Sequence, residues 1–532
     1  MRTLVIQLGR IGDVIQSTPM LRELGASAEG GVDVLVVHPN QSALEGLEGI
    51  AAVHTVKAEA RELDDQIAKG FASGKVPDEA RWFLKKLDLP RYKRVINASH
   101  SALGCWLAGH IECSQVEGGV IGDTGECLYE GMAHTYRVAL LGFREKNWFN
   151  LVDLLRCSAG SGAVPEAGAR PYLRTAERLN FAVPAGRKVA LNVGASEEPR
   201  RWPQTHWAML AEGLTGAGFV PMLVGAPSER ALADSVQAQC RCALPAFMET
   251  PVDEMARLLT MSELLVSVDT GAVHMAAAVG TPVLSLSGAT VYFAETAPWS
   301  AGNMILQMRL GTAMESLRLE VVLAAALNRL GKVDGTVLRR ALGDHSVEAW
   351  ETSFLPVGAD PLGGITYWPV HERAMGAQEL FTRALRHVFA ESFCGGRGVS
   401  LEYLRERCGV AAASAEVAGM RGIANSLVQS LQQMAATASK CVELSGRQDR
   451  AAGNAVVQLA PLLTKAMTAL LQRTAQADAG GFQPVMYYLD WRFRMMPKMA
   501  PTETFAYHAR EYQKAAMMLE RAWHLVEEIT HR

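Results

Sequence analysis

Two blocks of short apolar runs, each run followed by a stretch of helical spacing, constrain this chain more than any other feature. In the first block the runs are TLVIQL (3–8), VDVLVV (32–37) and RVINAS (94–99). Near-continuous apolar runs of this length, bounded by turn residues, read as strands buried on both faces of a parallel sheet. The second block runs VALNVG (189–194), VPMLVG (220–225), LLVSV (264–268) and PVLSLS (282–287). Helical spacing fills 205–217, 228–239, 252–261 and 271–279. The prediction is two Rossmann-like domains, residues 1–157 and 187–345. Residues 158–186, rich in Gly, Ala and Pro, read as a linker. Ligands of such sheets bind beyond the carboxyl ends of strands. The residues to examine are therefore Gly12-Asp13, Gly194-Ala195, Gly225-Ala226 and Asp269-Thr270-Gly271.

Beyond about residue 345 the pattern changes. Residues 425–444, 454–477 and 504–532 show helical apolar spacing, and no strand pattern is evident. An all-α domain over 365–532 is predicted, without a repeat of fixed period. A length of 532 residues agrees with two or three domains. The formal net charge of −3 argues against a nucleic-acid partner. Nine cysteines form no Cys-x-x-Cys or Cys/His knuckle, which reads as the reduced thiols of a cytosolic protein. The chain opens on a strand rather than a signal segment. Its most apolar stretch by eye, 272–289, is broken by His274, Gly280 and Pro282. A soluble protein is expected, and composition leaves peripheral membrane contact open.

The turn Gly9-Arg10-Ile11-Gly12 lacks Gly-x-Gly-x-x-Gly, and no Gly-x4-Gly-Lys-Ser/Thr occurs, so nicotinamide dehydrogenases and P-loop ATPases are disfavoured. Asp13, just inside the first helix, is either a cap or a catalytic carboxylate. In LLVSVDTGAVHMAAAVGTPVLSL a buried strand ends in Asp269. The free amides at Thr270-Gly271, with the Thr270 hydroxyl, would form a pyrophosphate cradle. The alternative is plain capping by Asp269 or Thr270, with His274 a core residue.

IGDVIQSTPMLREL and SVDTGAVHMAAAVGTPVLSLSGAT together resemble the lipopolysaccharide heptosyltransferases of glycosyltransferase family 9. LNVGASEEPRRWPQTHWAMLAEGL (191–214) and PMLVGAPSER (221–230) fit the same family in order and spacing over roughly 1–345. The resemblance implies a GT-B fold, an α/β architecture of two Rossmann-like domains facing a cleft, the first for acceptor and the second for donor. It implies an inverting, metal-independent transfer from ADP-heptose, with no cofactor, in the cytoplasm or at the inner face of the inner membrane. Residue by residue, Asp13 matches the general base and Gly12 its glycine turn. Asp269 would hold sugar hydroxyls. Thr270, Gly271 and His274 would hold the diphosphate, and Glu229 the ribose. Arg200 stands where the family has lysine, with Arg201 adjacent; with Gly12 both fall in the implied donor-binding set, and which of the two meets phosphate stays open. In a GT-B chain a final helix often returns across the N-terminal domain, and 367–389 is the candidate.

The chain departs from the family in three ways. Ser287-Gly288-Ala289-Thr290 replaces Phe-Gly-Pro-Thr. The acceptor loop offers Asn97, His100 and Ser101 rather than clustered cations. The helical extension lies outside the family's usual length. The acceptor is therefore either a cell-surface glycan or a protein such as a flagellin or surface adhesin, with the extension serving a partner, the acceptor or an oligomer. The aromatic, Met-rich stretch 481–499 is either core packing or a docking surface. A catalytically inactive sugar-nucleotide-binding scaffold and a GT-B epimerase are the competing functions.

Overall fold

The computed structural model describes residues 2–530 apart from 28–29, 58, 72–77, 123–126, 161–168, 344–345, 356–361, 371–375, 395–413, 446, 448–449, 476–480 and 495–499. The first domain holds β1 (Thr3–Gln7), β2 (Val32–Val37), β3 (Ile50–Val56), β4 (Tyr92–Asn97), β5 (Cys113–Ile121) and β6 (Cys127–Glu130). They lie in the order β3-β2-β1-β4-β5-β6, all parallel except β6. Its helices are α1 (Ile11–Ser27), α2 (Glu59–Phe71), α3 (Asp78–Leu87), α4 (Ala102–His110), α5 (Met132–Ala139) and α6 (Leu151–Cys157). β1 and β2 are buried almost end to end, as strands covered on both faces must be.

The second sheet contains β7 (Lys188–Asn192), β8 (Val220–Val224), β9 (Ala246–Phe247), β10 (Ser262–Val268), β11 (Val283–Ala289) and β12 (Met304–Leu310). It is wrapped by α7 (Gln204–Gly216), α8 (Arg230–Gln239), α9 (Val252–Thr260), α10 (Gly271–Val279), α11 (Phe293–Thr296), α12 (Leu319–Arg329) and α13 (Gly335–Leu342). Two further strands, β13 (Val347–Phe354) and β14 (Ile365–Pro369), extend it antiparallel in the order β14-β13-β12-β11-β10-β7-β8-β9. The sequence reading ended this domain at 345 and showed no strand beyond it. VEAWETSF hid its strand because Glu348 and Glu351 interrupt the apolar pattern.

Chain segment α14 (Ala377–Cys394) then returns to the first domain, so the returning helix begins ten residues later than 367. Leu380, Phe381, Leu385 and Phe389 pack with Tyr136 of α5 and with Phe149. Two doubly wound domains facing a cleft, closed by a returning helix, form the GT-B arrangement. The predicted linker straps the domains: Tyr172 N donates to Thr18 Oγ1 on α1 at 2.7 Å. Asn180 Nδ2 donates to Glu254 on α9. Its residues 161–168 lie outside the described residues.

The helical extension comprises α15 (Ser414–Ser445), α16 (Arg450–Thr474), α17 (Gln483–Arg494) and α18 (Pro501–Thr530). It has no core of its own. One continuous cluster joins Leu427, Leu431, Met486, Leu489, Leu519 and Val526 of the extension to Tyr136, Leu140 and Leu154 of the first domain. The stretch 481–499 is mainly this packing, since Phe482, Val485, Met486, Tyr488 and Leu489 are buried. Tyr487 stacks on Phe143 at 3.7 Å. Residues 495–499, Lys498 among them, lie outside the described residues.

Candidate active site

The amino ends of α1 and α10 meet head to head across the two domains. A Cβ added at Gly12 would stand 3.0 Å from His274 Cδ2 and 3.2 Å from Gly271 Cα. One added at Gly271 would stand 3.3 Å from Ile11 Cγ2. The glycines thus let two backbones touch, and both helix starts converge on one place. Arg10 Nη1 donates across the cleft to Ser196 Oγ at 2.7 Å. Arg144 of the first domain pairs with Glu295 on α11 at 3.3 Å.

Asp13 sits in the first turn of α1. Its Oδ2 accepts from Arg10 N at 2.8 Å, the reciprocal half of a capping box. A Cβ on Gly9 would fall 2.6 Å from that oxygen, so the turn needs glycine there. Gln7 and Asn40 lock the turn: Gln7 Oε1 accepts from Gly9 N, and Asn40 Nδ2 donates to Gly9 O at 2.9 Å. Asp13 therefore does cap, with one oxygen. Its other oxygen has no hydrogen-bond partner among the described residues.

Asp13 lines a cavity of about 520 Å³ with Arg10, Asn40, Asp64, His100, Ser101 and Arg137. Of the predicted acceptor-side residues, His100 and Ser101 line this cavity, Ser101 also capping α4 through Gly104 N at 2.9 Å. Asn97 lies beneath it, with Nδ2 given to Gly119 O at 2.8 Å and Oδ1 taken by Ser99. His100 reaches solvent at the cavity mouth, yet the protein around it holds the imidazole neutral. Desolvation acts first, then the charges of Arg137, His134 and Arg144. Arg137 is the cation that the sequence seemed to lack. It is carried on α5, donates Nη1 to Ala98 O, and leaves Nε buried without a partner. Desolvation lowers its pKa to about 10, while Glu295 and Asp13 pull it back up. The one signal for it in sequence is a lone charge in the otherwise neutral stretch AHTYRVALL.

On the second-domain side, the Thr270 hydroxyl turns away from its helix. Its Oγ1 donates to Asn192 Oδ1 at 2.9 Å, so no side chain caps the first amides of α10. Asn192 links this turn to Glu229, donating to Glu229 Oε2 at 3.3 Å and to Val224 O at 2.9 Å. Sequence reading passed over Asn192, although a polar residue inside an apolar strand was a visible signal. Glu229 also accepts from Ala226 N at 2.9 Å, and a Cβ on Gly194 would overlap its carboxylate. Asp269 is bound by Arg200 through Oδ2 at 2.7 Å and through its carbonyl. Burial raises the Asp269 pKa, and Arg200 opposes that rise. Arg201 anchors its Nε on Ala195 O at 2.9 Å and makes no ion pair among the described residues. His274 is held neutral at about 4 by burial, with Asp13 pulling the other way. Trp202, as expected of an anchor, is buried and donates to Leu317 O at 2.8 Å.

Residues 164–321, which include every second-domain residue of the site above, match the profile of glycosyltransferase family 9 (heptosyltransferase). The chain is 27% identical over 296 residues to lipopolysaccharide heptosyltransferase 1 of Pseudomonas aeruginosa, covering 54% of this chain and 79% of that one. Over these residues the chain resembles the family 9 heptosyltransferases, and the likeness supports a glycosyltransferase. Among solved structures, Escherichia coli heptosyltransferase WaaC with ADP shares 18% identity with this chain. The match covers 62% of this chain and all of WaaC at a TM-score of 0.45. The iron-containing dodecameric glycosyltransferase TibC of enterotoxigenic E. coli shares 12% identity, covering 57% of this chain and 62% of TibC at a TM-score of 0.33. In the chain itself, no group of three or more His, Cys, Asp or Glu side chains gathers for a metal among the described residues.

Proposed function

We propose that the enzyme moves heptose from ADP-heptose to an acceptor hydroxyl with inversion, Asp13 acting as general base. The observation that carries this is the placing of Asp13. One carboxylate oxygen is fixed on Arg10 N, and the residue lines an open cavity beside the uncapped start of α10. The acceptor hydroxyl would give its proton to the second oxygen as its own oxygen bonds to the sugar's anomeric carbon. The bond from that carbon to the diphosphate breaks, and ADP leaves. Charge building on the leaving diphosphate would be met by the amides of Gly271 and Ala272 and by Arg201. Arg200 is committed to Asp269, so we assign it to shaping Asp269 for the donor sugar rather than to phosphate. Glu229, with Asn192 behind it, would accept from the ribose.

The cavity on the acceptor side supports a glycan, lipid-borne or protein-borne, with Arg137 suited to an acidic group on it. Asp13→Asn should retain ADP binding and cut transfer by about two to four orders of magnitude, the scale of a lost general base. Near-normal transfer would remove the assignment. We also expect transfer to survive chelation by EDTA. Loss of transfer that is restored by added metal would favour an iron- or divalent-dependent enzyme. The scaffold reading is disfavoured by the uncommitted oxygen of Asp13, which capping alone does not require.

A further inference from the structure

The function proposed above leaves the outer surface of the helical extension unused, and α16 has a composition unlike that of its neighbours. Its 25 residues contain no Asp or Glu and three cations, Arg450, Lys465 and Arg473. By contrast, α18 contains Glu503, Glu511, Glu520, Glu527 and Glu528. The stretch Asn454–Thr474 is apolar and long enough to cross a membrane, a property hidden from a search for unbroken runs by Gln458, Thr464, Lys465 and Thr468. Such a helix is normally buried in a core. This one is 17% buried over its most apolar window.

One side of α16 is seated. Leu463, Met467, Leu470 and Thr474 face the bundle, and Arg473 donates to Ser426 Oγ on α15 at 2.8 Å. That seating keeps the helix lying on the protein rather than threading away from it. The other side presents Val457, 73% exposed, beside Pro461 and Lys465, and Leu462, 53% exposed, at the edge of a groove. Pro461 has no amide to donate, so the Val457 carbonyl loses its helical partner on this outer side. Between α15 and α16 runs a groove of about 560 Å³, with Met434, Leu459 and Leu463 along it. Lys440 follows one turn past Thr437 on the α15 wall of that groove, is exposed, and makes no ion pair among the described residues.

We infer that α16 is the surface by which this enzyme rests on an anionic lipid bilayer, its exposed apolar side entering the headgroup layer and Lys465 and Lys440 meeting lipid phosphate. Charge decides between occupants. A second copy of this chain, at net −3, would offer mixed charge. An acid-free helix with an exposed lysine, Lys465, and a second, Lys440, on the neighbouring helix is instead complementary to a surface of one sign. Met517 supplies an internal contrast: it is 61% exposed on α18, but stands alone among Gln513, Lys514, Glu520 and Arg521.

The test uses the full-length protein and sedimentation with vesicles of phosphatidylcholine alone or mixed with phosphatidylglycerol. Binding should require phosphatidylglycerol and weaken with salt. The double variant Val457→Glu/Leu462→Glu should lower the partition coefficient at least about tenfold, since two exposed apolar groups are exchanged for charges repelled by the surface. Met517→Glu should leave binding unchanged. Circular dichroism and donor hydrolysis verify that both variants are folded, and both substitutions lie on exposed positions. No binding to mixed vesicles by the parent protein would overturn the inference, as would equal binding by the double variant. A concentration-dependent dimer abolished by the same double variant, without vesicle binding, would also overturn it and assign the face to a second copy.

Discussion

Substituting alanine for Gly12 and, separately, for Gly271 probes the seam on which the active site is built. Both residues lie in the first turn of a helix, and neither has a positive φ. Alanine at either site would therefore gain up to about 1 kcal/mol in helix propensity if nothing obstructed its methyl group. The surroundings differ. At Gly12 the new carbon would meet His274 Cδ2 at 3.0 Å and the Gly271 backbone at 3.2 Å. The imidazole can tilt, but the Gly271 Cα is fixed at the start of α10. Overpacking of this kind costs about 1–3 kcal/mol, so a net loss of about 0–2 kcal/mol is expected. At Gly271 the nearest atom is the Ile11 Cγ2 methyl at 3.3 Å, and the Gly12 backbone atoms lie at 3.7 and 4.0 Å. A side-chain methyl can yield a few tenths of an ångström, so Gly271→Ala should be neutral or slightly stabilising. Function should follow the same order, because Asp13 is the next residue after Gly12. A shift of about 1 Å at a reacting group can cost about a hundredfold in rate. The measurements are urea unfolding and transfer rate for both variants. A Gly271→Ala protein less stable than Gly12→Ala, or a Gly12→Ala protein with parental transfer, would refute the argument that these glycines set the approach of the domains. Gly271→Val adds bulk against Gly12, so weaker ADP binding in that variant would report seam opening as well as loss of a cradle.

Arg200→Gln should cost about 3–5 kcal/mol, because it leaves the Asp269 carboxylate in place without its cation, and Arg200→Met/Asp269→Leu together should cost less than the single change; urea unfolding of the three proteins checks the order. Burial holds His274 at about 4 and His134 at about 3, against 6.5 for a free imidazole. The folded state therefore binds fewer protons than the unfolded chain below pH 6.5. The stability that these neutral histidines allow is present above that pH and lost as pH falls toward 4 and then 3. At about 1.4 kcal/mol per pKa unit, His274 accounts for up to about 3 kcal/mol, and His274→Gln should flatten the fall of the urea midpoint between pH 6.5 and 4. A chain ending at 394 should be insoluble or molten, since it uncovers Tyr136, Phe389 and Leu385. A soluble, cooperatively folded truncation would show that the shared core is dispensable.

The central buried strands and the Asp269-Thr270-Gly271 turn were legible because their signals are local, whereas edge strands such as β13, interrupted by Glu348 and Glu351, were not. Buried strands read as apolar runs, and Asp269-Thr270-Gly271 sits where a run stops, so spacing alone placed it at the cleft. Three things were not legible, each for a physical reason. Asp13 reads as a cap, a base or both, but only geometry shows how its two oxygens divide, with Oδ2 on Arg10 N. Arg200 and Arg201 both read as donor-binding, and sequence does not say which of them meets phosphate. In the folded chain Asp269, 69 positions away, takes Arg200 first. Arg137 belongs to a helix whose other side chains are all neutral, and nothing in AHTYRVALL says which way a single arginine faces.

The extension also backs the first domain. The expectation that it serves a partner, the acceptor or an oligomer rests on every catalytic motif lying before residue 300. Motif position says where chemistry is, but not what holds it in place. Helix α5 carries Arg137 toward Asp13 on one side. On the other, the Tyr136 ring meets Phe149, Phe389 and Phe393 edge-on at 5.3, 4.6 and 5.7 Å. α17 then packs on α5 and brings Tyr487 onto Phe143. The part of the Asp13 cavity lined by Arg137 is thus carried on α5, with the extension as its backing. Aromatic contacts of this kind are worth about 0.5–1.5 kcal/mol each beyond the area they bury, so removing the extension would loosen the helix that aims Arg137. An apolar periodicity shows that a helix is covered, but it does not name the partner. Here the partner is the catalytic domain, so loss of acceptor transfer on truncation would report a disordered cavity wall before it reported a lost docking site.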